Sequence, residues 1–153
     1  RLGPGHERDS RAGQVTNPTD NRQPKNSMTA GSKKTITLTP ATDLSTKEGY
    51  GVTMTAGVAT IGASATVPHK GIILQGSTTS GKCTIALEDY HEPVFVKVTG
   101  TVTQGDYLQQ ATDGSYVVDA GSGARCLGAI ALEAGVSGDL IRAALITHVT
   151  IAS

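Results

Sequence analysis

The chain has 153 residues, with 13 Lys and Arg against 13 Asp and Glu, 19 Gly, 21 Thr, no Trp and five aromatics: Tyr50, Tyr90, Phe95, Tyr107 and Tyr116. Zero formal charge argues against a partner held by bulk phosphate neutralisation, and five aromatics offer few platforms for stacking bases or sugars, so no nucleic acid is expected. No apolar run approaches the roughly 18 residues that span a bilayer as a helix, and no membrane partner is expected either.

In chain order, residues 1–33 read as an extended polar N-terminal arm. The first 27 residues carry five positive charges (Arg1, Arg8, Arg11, Arg22, Lys25), three negative ones (Glu7, Asp9, Asp20), three prolines and only Leu2 and Val15 as large aliphatics. Such a segment buries too little apolar surface to offset its ordering entropy, so its order is expected to come from a partner. Met28 followed by Thr-Ala-Gly-Ser also reads as a chain start, which would make residues 1–27 an upstream tail. There is no apolar stretch of the kind a signal peptide needs.

From residue 34 to 153 the texture changes to short apolar–polar alternations separated by glycine-rich breaks. Thr35–Thr39 alternates with period two, and Gly51–Thr55 and Val58–Ile61 flank Ala56-Gly57 as a tight hairpin. Gly71–Gln75 and Lys82–Leu87 read as buried strands, and Val94, Val96 and Val98 share a face opposite Phe95 and Lys97. Tyr107–Gln110 and Ser115–Val118 flank Asp113-Gly114, a strong hairpin signal. Arg125–Leu132 and Asp139–Ile146 complete the set. Leu140–Ile146 and Ile130–Ala134 fit a helical period almost as well, but the Gly138-Asp139 turn and the β-branched tail Thr147–Ile151 favour strand. The expected fold is all-β, a small barrel or sandwich of about ten short, mostly antiparallel strands behind the arm. Cys83 and Cys126, 43 positions apart with no metal-ligand spacing, read as two apolar core thiols.

Chemistry is sparse. Gly76-Ser-Thr-Thr-Ser-Gly-Lys82-Cys83 matches the phosphate-loop pattern GxxxxGK[ST] in seven of eight positions. The eighth is Cys83, a poor ligand for a hard cation, and a strand rather than a helix follows. The four histidines, His6, His69, His91 and His148, show no metal-ligand spacing. His91 sits in the polar run Glu88–Glu92, where an acid–base or metal site competes with a solvated loop, and the loop is preferred. No serine lies in GxSxG. No catalytic residue, cofactor or metal site is assigned, and a non-enzymatic module is expected.

One pattern points to a family. Gly105-Asp-Tyr-Leu108 running to Asp113-Gly114, then Leu127-Gly-Ala-Ile-Ala-Leu-Glu-Ala134, then Ser137-Gly-Asp-Leu-Ile-Arg-Ala-Ala-Leu145 resembles the C-terminal half of tailed-bacteriophage capsid cement (head decoration) proteins. The likeness covers residues 50–147 and leaves 1–33 without a counterpart. It implies a structural virion protein, a homotrimer made in the host cytoplasm. Its place would be the outer capsid surface, where it would stabilise the lattice between major capsid protein subunits. In that setting Arg1, Arg8, Arg11 and Arg22 are the expected capsid-binding residues, and the rim loops Ser77–Gly81 and Glu88–Glu92 are the alternative contact. Another virion surface module, such as a fibre base or an adhesin domain, is the second reading, and a nucleotide-binding protein using Gly76–Lys82 the third.

Overall fold

The structure, a computed structural model, describes residues 34–152. The arm and its four arginines therefore lie outside the described residues. The described residues form ten strands: β1 (Thr35–Pro40), β2 (Gly51–Thr55), β3 (Val58–Ile61), β4 (Gly71–Gln75), β5 (Cys83–Leu87), β6 (Val94–Lys97), β7 (Tyr107–Gln110), β8 (Tyr116–Val118), β9 (Arg125–Ala131) and β10 (Leu140–Ile151). The all-β expectation holds, and both segments with a helical period lie on strands over Ile130–Ala131 and Leu140–Ile146.

Strands β1–β5 close into a barrel in the order β1-β3-β2-β4-β5. One pairing, β1 with β3, is parallel; the other four are antiparallel. The second sheet runs β6-β10-β9-β7-β8 and is antiparallel throughout. It curls until Val98, just beyond β6, bridges Tyr116 at the start of β8. β10 is longer than the alternation suggested, because the tail from Thr147 continues the strand. A register shift between Leu145 and Val149 absorbs it: four steps along β10 match two along β9.

Each half has its own core. Leu38, Leu44, Val52, Ala59, Ile73, Cys83 and Ile85 fill the barrel. Val94, Val96, Val98, Leu108, Tyr116, Ala129, Ala131, Ile141 and Ala143 line the second sheet, joined by Ile72 and Ala86. Ile72 pairs with Ala86 and Ile73 with Ile85. Consecutive residues of a strand point to opposite faces. The β4–β5 hairpin is thus one wall with a core on each side, which is why Gly71–Leu74 shows no polar position. Both cysteines are buried free thiols, Cys83 within the barrel core, as their spacing suggested.

The β2–β3 turn is a two-residue hairpin, Thr55 facing Val58, with Ala56 at φ 49° and Gly57 at φ 79°. This tight turn twists with the strands only when both central residues are left-handed, and Ala carries a Cβ penalty there. Ala56→Asn keeps the geometry and should raise unfolding stability by about 1 kcal/mol, read as a higher urea midpoint at unchanged slope. Ile73→Ala, which hollows the barrel side of the shared wall, should cost about 2–5 kcal/mol; a loss below about 1 kcal/mol would show that the barrel core collapses to fill the gap.

Candidate interaction surface

The two rim loops lie at opposite ends of β5, because one enters the strand and the other leaves it. In the first, Gly81 N donates to Thr78 O at 2.9 Å, Thr78 and Ser80 share a hydroxyl contact at 3.1 Å, and Leu44 N donates to Ser77 O at 2.9 Å. Lys82 Nζ reaches across to Thr39 Oγ1 on β1 at 2.6 Å, and Cys83–Leu87 is strand. The phosphate-loop match is therefore a β-hairpin. Its lysine is directed to the neighbouring strand, and no helix N-terminus stands behind it to hold an anion.

The second loop, 88–93, leads from the barrel into the second sheet and walls a cavity of about 300 Å³ with Ala144, Leu145 and Thr147 of β10. Its carboxylates are engaged. Asp89 pairs with Lys34, whose bond holds the carboxyl below its ordinary range. Glu88 Oε2 lies 2.8 Å from His148 Nδ1. His91 is exposed beside them, and among the described residues no group of three or more His, Cys, Asp or Glu is placed to hold a metal ion. The run Glu88–Glu92 is a polar corner between the two sheets, His148 of β10 being the member that sequence spacing could not supply.

A third surface is the outer face of the second sheet. Directly opposed residues share a face, so the pairs Leu140–Lys97 and Arg142–Phe95, and the row Ala144–Ile130–Tyr107, form one continuous surface. The inner face holds Val94, Val96, Ile141, Ala143, Ala131 and Leu108. Phe95 is 54% exposed, Tyr107 52% and Leu140 42%. Two of the five aromatics thus stand in solvent on one face. The signal was present in Val94–Val98, where the alternation puts Phe95 outside. Cross-strand pairing is what joins it to Tyr107, and that is not visible along the chain. Around this face the turns are tied down: Asp106 accepts from Thr103 N and Oγ1, both at 2.8 Å, which keeps its carboxyl below the usual range. Arg125 is held by Asp119 and by Gly123 O.

The described residues offer three surface features: an apolar face with one exposed arginine, a polar corner and a closed hairpin loop. No family model and no curated protein matches the sequence. Among solved structures the fold is similar to the N base of the head fibre gp8.5 of bacteriophage phi29, with a TM-score of 0.55 and 13% sequence identity, over 74% of this chain and 93% of that one. At that identity the likeness is one of fold. What the two share is the β architecture, seen here as a barrel and a curled sheet together.

Two expectations follow from the loop and the face. Magnesium and ATP should leave the melting temperature of the full chain unchanged, and Lys82→Ala, which removes one exposed hydrogen bond, should cost about 1 kcal/mol or less. A nucleotide-dependent rise abolished by that substitution would reverse the assignment of the loop. Phe95→Ser should cost about 1–2 kcal/mol, since the ring is about half exposed and half packed on the sheet; a loss of about 3 kcal/mol or more on urea unfolding would mean that the ring is covered.

Proposed function

We propose that the chain is a structural protein of a tailed-phage virion that binds the outer surface of the assembled head and cements the lattice between major capsid protein subunits. The likeness to a head-fibre base across nearly that whole domain carries the reading. The cement-type pattern over residues 50–147 and the exposed Phe95–Tyr107–Leu140 face agree with it. The work asked of such a protein is linkage. A ligand that binds only the expanded lattice stabilises it by RT ln(1 + [L]/Kd), about 2.7 kcal/mol per site at a hundred times Kd. Repetition over many sites, and trimerisation that makes the second and third contacts intramolecular, multiply that effect without any catalytic group.

In this reading the partner is the major capsid protein, the protein is a homotrimer made in the host cytoplasm, and it needs no cofactor, nucleic acid or membrane. Arg1, Arg8, Arg11 and Arg22 pair with capsid carboxylates, and the second-sheet face supplies apolar contact. A second reading is favoured by the same fold likeness: the domain is the base of a head fibre, seated on the head and carrying a projecting element. Both place the chain on the head and differ in what it does there.

Co-sedimentation of the purified full chain with expanded heads tests the shared part, and binding is expected to saturate. A variant lacking residues 1–27 and the double variant Phe95→Ser/Tyr107→Ser should each lower occupancy at least tenfold. Heads without the protein should release DNA at lower temperature if it is a cement, and should lose host adsorption with unchanged heat resistance if it is a fibre base. No binding to heads of any form would overturn both.

A further inference from the structure

The barrel and the second sheet meet over one buried imidazole. His69, in the segment before β4, has no exposed surface. Its Nδ1 lies 3.4 Å from the Tyr116 hydroxyl, and the two rings meet edge to face at 5.6 Å. Tyr116 itself is buried in the second-sheet core. Two barrel glycines close the other sides: a Cβ at Gly51 or at Gly62 would overlap the ring. Gly51 N donates to Gly114 O of the β7–β8 turn at 2.7 Å, and Gly62 N to Gly51 O at 2.9 Å, so the backbone around the ring is part of the same junction. His69 Nε2 is buried without a hydrogen-bond partner.

We propose that the His69–Tyr116 contact is an acid-labile clasp between the barrel and the second sheet, released when the buried imidazole takes up a proton. A protonated ring needs two acceptors. Here it has one hydroxyl oxygen on one side and glycine backbone with no acceptor in reach on the other, and an unpaired buried charge is costly. The charged and titratable groups facing the site do not rescue it. Tyr116 of β8 is neutral, its hydroxyl pushed further up by burial. His148 of β10 opposes a second positive charge, and Cys126 of β9 acts on the Tyr116 hydroxyl, which it too pushes up. Only Asp113 in the β7–β8 turn favours protonation, and its Oδ1 is already bonded to Ser115 N and Oγ. Glu88 serves His148. Gly51 and Gly62 bring no charge.

The sign and window follow. Burial first, and then the like charge of His148, lower the His69 pKa from 6.5 to about 4. As pH falls, the unfolded chain binds this proton first, through 6.5; the folded chain binds it only near 4. The stability tied to the neutral ring is therefore complete above pH 6.5, drains away between 6.5 and about 4, and is constant below. Asp43, Asp89, Asp106, Asp113 and Asp119 have carboxyls held below 3.8, so their contribution is lost from about pH 5 downward as the unfolded carboxyls protonate. The window from 6.5 to about 5 belongs to histidine.

The test is urea unfolding of the full chain at pH 7.5, 6.5, 5.5 and 4.5, for wild type, His69→Gln and His148→Gln. The wild-type folding constant should fall by up to tenfold per pH unit below 6.5. The slope should persist in His148→Gln and flatten in His69→Gln. Should His69→Gln not fold, imidazole nitrogen shifts of the wild type decide. His69 staying neutral down to pH 5 in the folded chain supports the clasp. His69 titrating near 6.5 in an intact fold overturns it, as does an unchanged slope in His69→Gln. Amide exchange locates the opening: protection at Gly51 should fall with pH ahead of Ile85 in the shared wall, and equal loss at both would overturn a local clasp in favour of global unfolding.

Discussion

The β4–β5 wall is the constraint on which the rest of the structure depends. A strand normally sorts its residues into a wet and a dry face. Here both faces are dry: Ile73, Cys83 and Ile85 point into the barrel, and Ile72 and Ala86 into the second sheet. Neither core stands without the wall. Strands β1 and β2 need β5 and β4 to close the barrel, and the valines of β6 need Ile72 and Ala86 beneath them. A chain with only one phenylalanine and no tryptophan thus holds two small cores by sharing a boundary instead of filling each with large rings. At about 25 cal/mol per Å² of apolar surface removed from water, a residue in the shared wall is worth as much as any other buried aliphatic; what the wall adds is that neighbouring residues of one strand serve different cores.

The second consequence is where polarity enters. A wall shared by two curved sheets leaves a corner that neither sheet covers completely, and the chain fills it with His69, Tyr116, His148 and Glu88. The glycines at 51 and 62 exist there because a ring occupies the space their side chains would take. Buried polar groups of this kind are often no better for stability than a well-packed apolar replacement, and removing one partner alone is costly. Gln110, buried with neither amide atom bonded to protein, stands opposite Tyr116 in the β7–β8 pair and belongs to the same polar corner.

Much of this was legible along the chain. Period-two alternation, the Ala56-Gly57 and Asp113-Gly114 turns and the apolar run at Gly71–Leu74 located the strands, because each depends on neighbours within a few residues. The strand that follows Lys82 likewise separated a hairpin from a phosphate loop. What could not be read is every feature made by pairing across the sheets. The closure of β1 on β3 and β5, the meeting of His69 with Tyr116 at 47 positions' separation, and the joining of Phe95 to Tyr107 through β10 and β9 are set by register. Buried His69 and exposed His91 are equally plain letters in the sequence. The length of β10 was missed for a related reason: the shift between Leu145 and Val149 breaks the alternation that would have announced it.

Charge is divided unevenly along the chain. The first 27 residues carry five positive charges to three negative, while the remaining 126 carry eight to ten. Within the described domain the carboxylates are largely spent on local work: Asp89 on Lys34, Asp106 on Thr103, Asp113 on Ser115, Asp119 on Arg125 and Asp139 on Val136 N. Only Asp89 and Asp119 among these are neutralised by a cation, so long-range steering by the domain is weak because its opposite charges nearly balance, eight to ten over residues 28–153. An apolar face for contact among the described residues is the second sheet's, where Phe95, Tyr107 and Leu140 share one surface with Arg142, a composition of aromatic rings and arginine that interfaces favour at their centres. A domain built this way gains by burying its apolar face against a partner, since rings already half out of water cost little further ordering when they are covered.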